Sequence, residues 1–100
     1  MNSITTLLGM AARAGRLVSG TAAVEAGLKR QQVLLVICAT DLAPRTIRNF
    51  SFWCEKYHAG FFCYGTRSEL GKCIGRPERG LIGVTGVDFA GAIRSRLEEK

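Results

Sequence analysis

Histidine is nearly absent from this sequence, represented by His58 alone. None of its four cysteines, Cys38, Cys54, Cys63 and Cys73, forms the C-x-x-C pair on which zinc sites and thioredoxin-like redox sites are built. No metal site is therefore expected, and nothing in the sequence asks for a cofactor. Cys38 and Cys63 sit inside apolar runs and read as small core hydrophobes, which makes a reducing compartment the default. Acidic residues are also scarce: eight Asp and Glu stand against fourteen Lys and Arg. They are scattered, leaving no paired carboxylates for acid–base catalysis. Proline is limited to Pro44 and Pro77, with no linker, repeat or low-complexity tract. No apolar run approaches the ~18 residues needed to span a bilayer. The opening stretch lacks a basic leader, and Ile4, Leu7, Leu8, Ala11 and Ala12 fall at helical spacing, as in an amphipathic helix rather than a signal peptide. A soluble, cytoplasmic protein without membrane contact is the expectation.

What the chain does have is apolar mass and positive charge. Its 100 residues are 47% hydrophobic and 22% charged, enough for one domain with one core and too few for separate lobes. The net charge is +6 and the sequence pI about 9.6, carried by ten Arg and four Lys. A guanidinium fork matches two phosphate oxygens at once, so this basicity puts nucleic acid first among partners. The same charge would also attract acidic membranes and other polyanions.

The pattern predicts alternating helices and strands. Ser3 is placed to cap a first helix that Gly15 ends, and Leu17-Val18 predicts a short strand. Ser19-Gly20-Thr21 opens a second helix with Val24 and Leu28 inward. Val33 to Ala39, apolar and β-branched, reads as a fully buried central strand. Pro44 suits the first turn of a third helix running to about His58. Ile47, Phe50, Cys54 and Tyr57 would face inward, and Arg45, Arg48 and Lys56 outward near Phe52. Phe61 to Tyr64 is a further strand. Thr66 and Glu69 form a capping box for a short helix stopping at Gly75. Leu81 to Thr85 is the last strand, and Asp88 is expected to cap a final helix with Phe89, Ile93 and Leu97 inward. A charged tail, Glu98 to Lys100, follows. Such alternation with short connections indicates a sheet covered by helices on both faces.

Four constellations merit a chemical reading. Gly65 to Cys73 resembles a phosphate loop superficially, but the glycine spacing is wrong, Cys73 replaces the required hydroxyl and the segment is helical in pattern, so nucleotide binding is not expected. His58 and Cys54 are i,i+4 neighbours without a third orienting group, and a helix-end histidine is the simpler reading. Ser19-Gly20-Thr21 reads first as a helix cap. It would also point free backbone N–H groups and a positive dipole end at a phosphate or base edge. The loop Gly75 to Gly80 holds Arg76 and Arg79 and reads equally as a solvated connection or as a phosphate contact.

In order and spacing, Leu7 to Gly15, Leu17 to Thr21, the strand Leu34 to Ala39, Asp41 to Pro44, Ser68 to Lys72 and Gly75 resemble the L-seven-Ae superfamily of kink-turn-binding ribosomal proteins. The likeness covers roughly residues 4 to 97 and is strongest to the bacterial YlxQ-like branch, which Leu7-Leu8-Gly9-Met10-Ala11-Ala12-Arg13-Ala14-Gly15 and Val18-Ser19-Gly20 most resemble. The resemblance implies a three-layer α-β-α sandwich, a single α/β domain with a mixed four-stranded sheet. It also implies an RNA surface at one end, comprising Gly20, Thr21, Ala22, Ala23 and Ala26, then Thr40 to Pro44, then Arg76 to Leu81. Ala22, Ala23 and Ala26 stand where kink-turn binders carry Asn, Glu and Lys. A methyl group cannot hydrogen-bond a base edge, an interaction worth ~1–3 kcal/mol. Phosphate-led binding would then replace base reading.

The leading expectation is a non-catalytic binder of structured RNA, whether ribosomal, kink-turn-like or nascent, with the ribosome or the transcription–translation machinery as a further partner. Arg16, Gly20, Thr21, Ala22, Ala23, Lys29, Arg30, Asp41, Lys72, Arg76 and Arg79 are its candidate RNA-binding residues. The alternative is a protein-interaction adaptor with an Ala-rich contact turn. Clustering of Arg16, Lys29, Arg30, Arg76 and Arg79 around the turn would favour RNA, and scatter would favour a protein. An enzyme is the remote third reading, since no convergent polar pocket is announced.

Overall fold

A computed structural model describes residues 3–99, with side chains from residue 4 onward. The capping side chain expected at Ser3 and the last residue of the charged tail, Lys100, lie outside what is described. The chain runs α1 (Ser3–Arg13), β1 (Leu17–Ser19), α2 (Thr21–Lys29), β2 (Leu35–Cys38), α3 (Pro44–Lys56), β3 (Gly60–Cys63), α4 (Arg67–Cys73), β4 (Leu81–Val84) and α5 (Val87–Glu98). The strands form one mixed sheet in the order β1-β4-β2-β3. β2 pairs parallel with β3, while β4 runs antiparallel to both β1 and β2.

The period-two alternation of a strand sorts the core into two layers. Leu35, Ile37 and Ala39 pack with Ile4 and Leu8 of α1, Leu70 of α4 and Ile93 of α5. Val36 and Cys38 pack on the other face with Val24 and Leu28 of α2 and Phe50 and Cys54 of α3. The result is the three-layer α-β-α sandwich expected. Fully burying one such Leu, Ile or Phe contributes ~1.5–3 kcal/mol, so both faces of the sheet must stay covered. α2 is drawn in especially close. A Cβ added at Gly27 would come within 2.5 Å of Val33 Cγ2, and one at Gly83 within 2.9 Å of the same methyl. Val33 therefore slots between two glycines, and that fit sets how near α2 lies to the sheet.

Some local expectations are revised. Gly86, not Asp88, is the N-cap of α5, and no side chain caps it; Asp88 lies in the first turn, where its charge suits the helix dipole. Cys63 is exposed rather than buried: it is the last residue of β3, one of the sheet's two edge strands. Trp53 is half-buried, meeting Phe50 edge-on at 4.9 Å between ring centroids, whereas Phe52 points outward.

Candidate nucleic-acid interface

The C-terminal ends of β1, β2 and β3 and the start of β4 meet at one end of the sheet, and α2, α3 and α4 all begin there. Ser19 opposes Ile82, and Cys38 opposes both Leu81 and Cys63, which fixes that convergence. Three helix N-termini thus point their positive ends the same way. They differ in how their N–H groups are met. α4 is closed by a full capping box, with Thr66 Oγ1 accepting from Glu69 N and Glu69 Oε1 accepting from Thr66 N at 2.9 Å. The Arg67 N–H donates to Asp41 Oδ1 at 3.0 Å. The N-caps of α2 and α3, Gly20 and Ala43, supply no side-chain hydrogen bond.

At α2 the backbone is prepared for close approach. Gly20 takes φ +95°, a conformation that side-chain-bearing residues rarely adopt. It is pinned on both sides, its N–H donating to Leu81 O at 2.9 Å and its carbonyl accepting from Val24 N at 3.0 Å. The N–H groups of Thr21, Ala22 and Ala23 precede that first intrahelical bond, and all three residues are exposed. The side chains of Ala22, Ala23 and Ala26 are single methyl groups, so this exposed surface offers no side-chain hydrogen-bonding group.

The loop after α4 forms the facing wall. It lies directly on Gly71, where a Cβ would come within 2.8 Å of Arg76 O and Glu78 Cα and 2.9 Å of Pro77 O. The Arg76 N–H donates to Gly71 O at 2.8 Å and the Arg79 N–H to Arg67 O at 3.1 Å. Arg79 Nε then reaches across to Ser19 Oγ at 3.1 Å, and its Nη1 donates to Glu78 O at 2.7 Å. Beside them runs an open groove of about 400 Å³ lined by Ser19, Ala23, Ile74, Arg76 and Arg79 together with Ala12, Leu17 and Val18. The segment from Gly65 to Cys73 is helix α4 with its cap, not a phosphate loop.

The other candidate residues sit elsewhere. Arg16 precedes β1, its carbonyl accepting from Thr85 N at 2.9 Å, and its side chain packs on Gly86. That is the opposite end of the sheet, ~13 Å away at the rise of a strand. Lys29 and Arg30 close α2, ~12 Å along its axis from Thr21. Lys29 is held by Glu25 at 3.0 Å, and this hydrogen bond and charge raise its pKa above the ordinary lysine value. Lys72 is exposed on α4 and lines a separate groove with Thr5, Tyr64 and Glu69. Asp41 is at the convergent end, but its carboxylate is engaged by Arg67, with Nε 3.5 Å from Oδ2. Of the five basic residues expected to cluster, only Arg76 and Arg79 adjoin the turn. The reason is chain direction: β1 runs toward the turn from Arg16, and α2 carries Lys29 and Arg30 away from it. The Ser19 hydroxyl, Gly71 and Arg67 also shape this end of the sheet; the motifs around Ser19 and Gly71 are visible in the sequence, but the partners Arg79, Pro77 and Asp41 are not, since all but the loop contact of Gly71 are distant in sequence.

Cys54 and His58 do not form a reactive pair. Cys54 is buried, its thiol pushed up to about 12 by desolvation, whereas His58 is exposed in a left-handed turn that follows the helix. Cys38 is raised to about 12, chiefly by burial and secondarily by Cys63. Among the described residues, no three His, Cys, Asp or Glu side chains converge as a metal would require. No described helix is long and apolar enough to cross a membrane.

The chain is 30% identical over 92 residues to the "RNA-binding protein YlxQ" of Bacillus subtilis (strain 168), an alignment covering 92% of each. It is 26% identical to the protein of the same name from Enterococcus faecium, over 92% of this chain and 88% of that one. A solved structure of a protein of unknown function from Bacillus halodurans superposes with a TM-score of 0.95 at 32% identity, spanning 99% of this chain and all of that one. The Giardia lamblia 15.5kD RNA binding protein shares the fold, with a TM-score of 0.83 at 16% identity over 98% of this chain and 90% of its own. Residues 2–93 match the family model itself, and the chain belongs to the ribosomal protein L7Ae/L30e/S12e/Gadd45 family.

Proposed function

We propose that this protein is a non-catalytic binder of structured RNA, and that it takes the RNA backbone at the end of the sheet where α2 opens. The observation that carries the reading is the start of α2, which no side chain caps and whose residues Thr21, Ala22 and Ala23 are exposed, beside a groove that Ala23 lines together with Arg76 and Arg79. Backbone donors and Arg forks together suit phosphate and 2′-hydroxyl contacts, which structured RNA offers without base reading. The relatives named as RNA-binding proteins support the same partner class. Asp41 serves in this reading as a brace for the start of α4. Arg16, Lys29, Arg30 and Lys72 add only to the long-range field that steers a polyanion.

A second reading, a protein-interaction adaptor, draws on one observation. Exposed Ala22, Ala23 and Ala26 offer a small apolar contact, and three of the five basic residues lie away from it. Fluorescence anisotropy with a kink-turn RNA and a matched uninterrupted duplex, across a salt series, separates the two. Binding whose affinity falls steeply with salt is expected, the slope reporting the phosphates engaged. Preference for the kink-turn would mean that backbone donors suffice for shape recognition. Failure to bind either RNA at low salt would put the adaptor reading first.

A further inference from the structure

The outer face of α3 is exposed and packs against no other element among the described residues. At 100° per residue, Arg45, Arg48, Asn49, Phe52 and Lys56 fall along one stripe, opposite buried Phe50 and Cys54. All five are exposed, and Phe52 shows 62% of its surface to solvent. On α2 and α5 cations pair with acids of their own helix end: Lys29 with Glu25, Arg94 with Glu98, Arg96 with Glu99. On α3, by contrast, Arg45, Arg48 and Lys56 form no ion pair among the described residues, and Glu55 is the helix's only acid. Lys56 lies 5.5 Å from the Tyr57 ring centroid, which holds its ammonium at the surface.

This is a stacking platform between cations, stepped ~6 Å per four residues along the helix. A lone ring among three uncompensated cations is too small for the apolar core of a protein interface, and its charge complements a polyanion. The stripe begins at Arg45, in the first turn of α3, directly after the loop Thr40 to Pro44 at the convergent end of the sheet. We propose that the outer face of α3 is a second RNA site, along which a single strand leaving the bound structure runs, with one unpaired base stacked on Phe52 and its phosphates on Arg45, Arg48 and Lys56. This rests on the RNA reading above, and extends it from the groove at α2 to the solvent side of the neighbouring helix.

The test uses the full chain and the tighter-binding of the two RNA stems, either blunt or carrying a single-stranded uridine tail of about six nucleotides at its 5′ or its 3′ end. A tail of one polarity is expected to tighten binding about tenfold, the scale of one base–aromatic stack. Phe52→Ala should abolish that gain and leave blunt-stem affinity within about twofold, while Phe52→Tyr, which keeps the ring, should retain it. The double variant Arg45→Ala/Arg48→Ala should lower the salt slope of the tailed RNA by about 1.4, two phosphate contacts to a single strand. Equal affinity for tailed and blunt stems overturns this proposal alone, and failure to bind either overturns it together with the RNA reading. A dimer in sedimentation velocity that Phe52→Ala dissolves would likewise overturn it, by assigning the ring to a protein contact.

Discussion

Arg79→Ala is the substitution that weighs most on the proposed interface. The guanidinium carries five N–H donors. One is committed to Ser19 Oγ at 3.1 Å and another to Glu78 O at 2.7 Å, which leaves three directed by a side chain locked at both ends. A charge-assisted hydrogen bond contributes ~1.5–3 kcal/mol net, so removing one such bond to phosphate should weaken RNA binding roughly 10- to 150-fold. The slope of log affinity against log salt should fall by about 0.9 for a duplex stem. Arg79→Lys keeps the charge but not the fork that bridges Ser19 and Glu78, and is expected to lie between. The internal control is Arg30→Ala. Arg30 is ~12 Å or more from the start of α2 along the helix axis, beyond the ~8 Å screening length at physiological salt, so its loss should change affinity less than about twofold. Anisotropy titrations give the affinities, and urea denaturation checks that each variant is folded, with a cost of no more than ~1 kcal/mol expected for the Ser19 bond. If Arg30→Ala or Arg16→Ala weakens binding as much as Arg79→Ala, the interface is not at the end where α2 opens, and the reasoning fails.

Gly71→Ala should displace the loop that carries Arg76 and Arg79, because its Cβ would meet loop backbone within 2.9 Å; a loss of ~1–3 kcal/mol in urea denaturation is expected, with weaker RNA binding. Gly20→Ala forces a side chain into φ +95° at a doubly hydrogen-bonded residue, and should cost ~1–3 kcal/mol by the same assay. The thiols give a pH test. Cys38 and Cys54 are held protonated up to about 12, against an ordinary value of 9.0, so their contribution is whole below pH 9 and is lost as pH rises from there toward about 12. Unfolding free energies from urea denaturation should fall over that window with a slope of up to ~1.4 kcal/mol per pH unit per thiol, reduced in Cys54→Ala. A thiol reagent at neutral pH should label exposed Cys63 well before either of them.

The sequence by itself determined the layers. The β-branched, apolar run from Val33 to Ala39 favours a strand buried on both faces, and the Thr66/Glu69 box, Pro44 and the inward residues of α3 and α5 each announce themselves through local geometry. Local signals of this kind survive folding because backbone preference and side-chain periodicity act within a few residues. The order of motifs likewise carried the family, since it depends on the chain and not on contacts. Tertiary structure alone decided which basic residues meet. Arg16, Lys29 and Arg30 neighbour the turn in sequence but lie at the far end of the sheet, because one strand and one helix each translate the chain by more than ~10 Å. Arg79, sixty residues from Ser19, is brought to it by the antiparallel register of β1 and β4 and by a loop that only Gly71 lets settle. The burial of Cys38 beside exposed Cys63 follows from strand order, since β2 is interior and β3 is an edge. Such facts belong to pairs of distant residues, and no window on the chain contains both members.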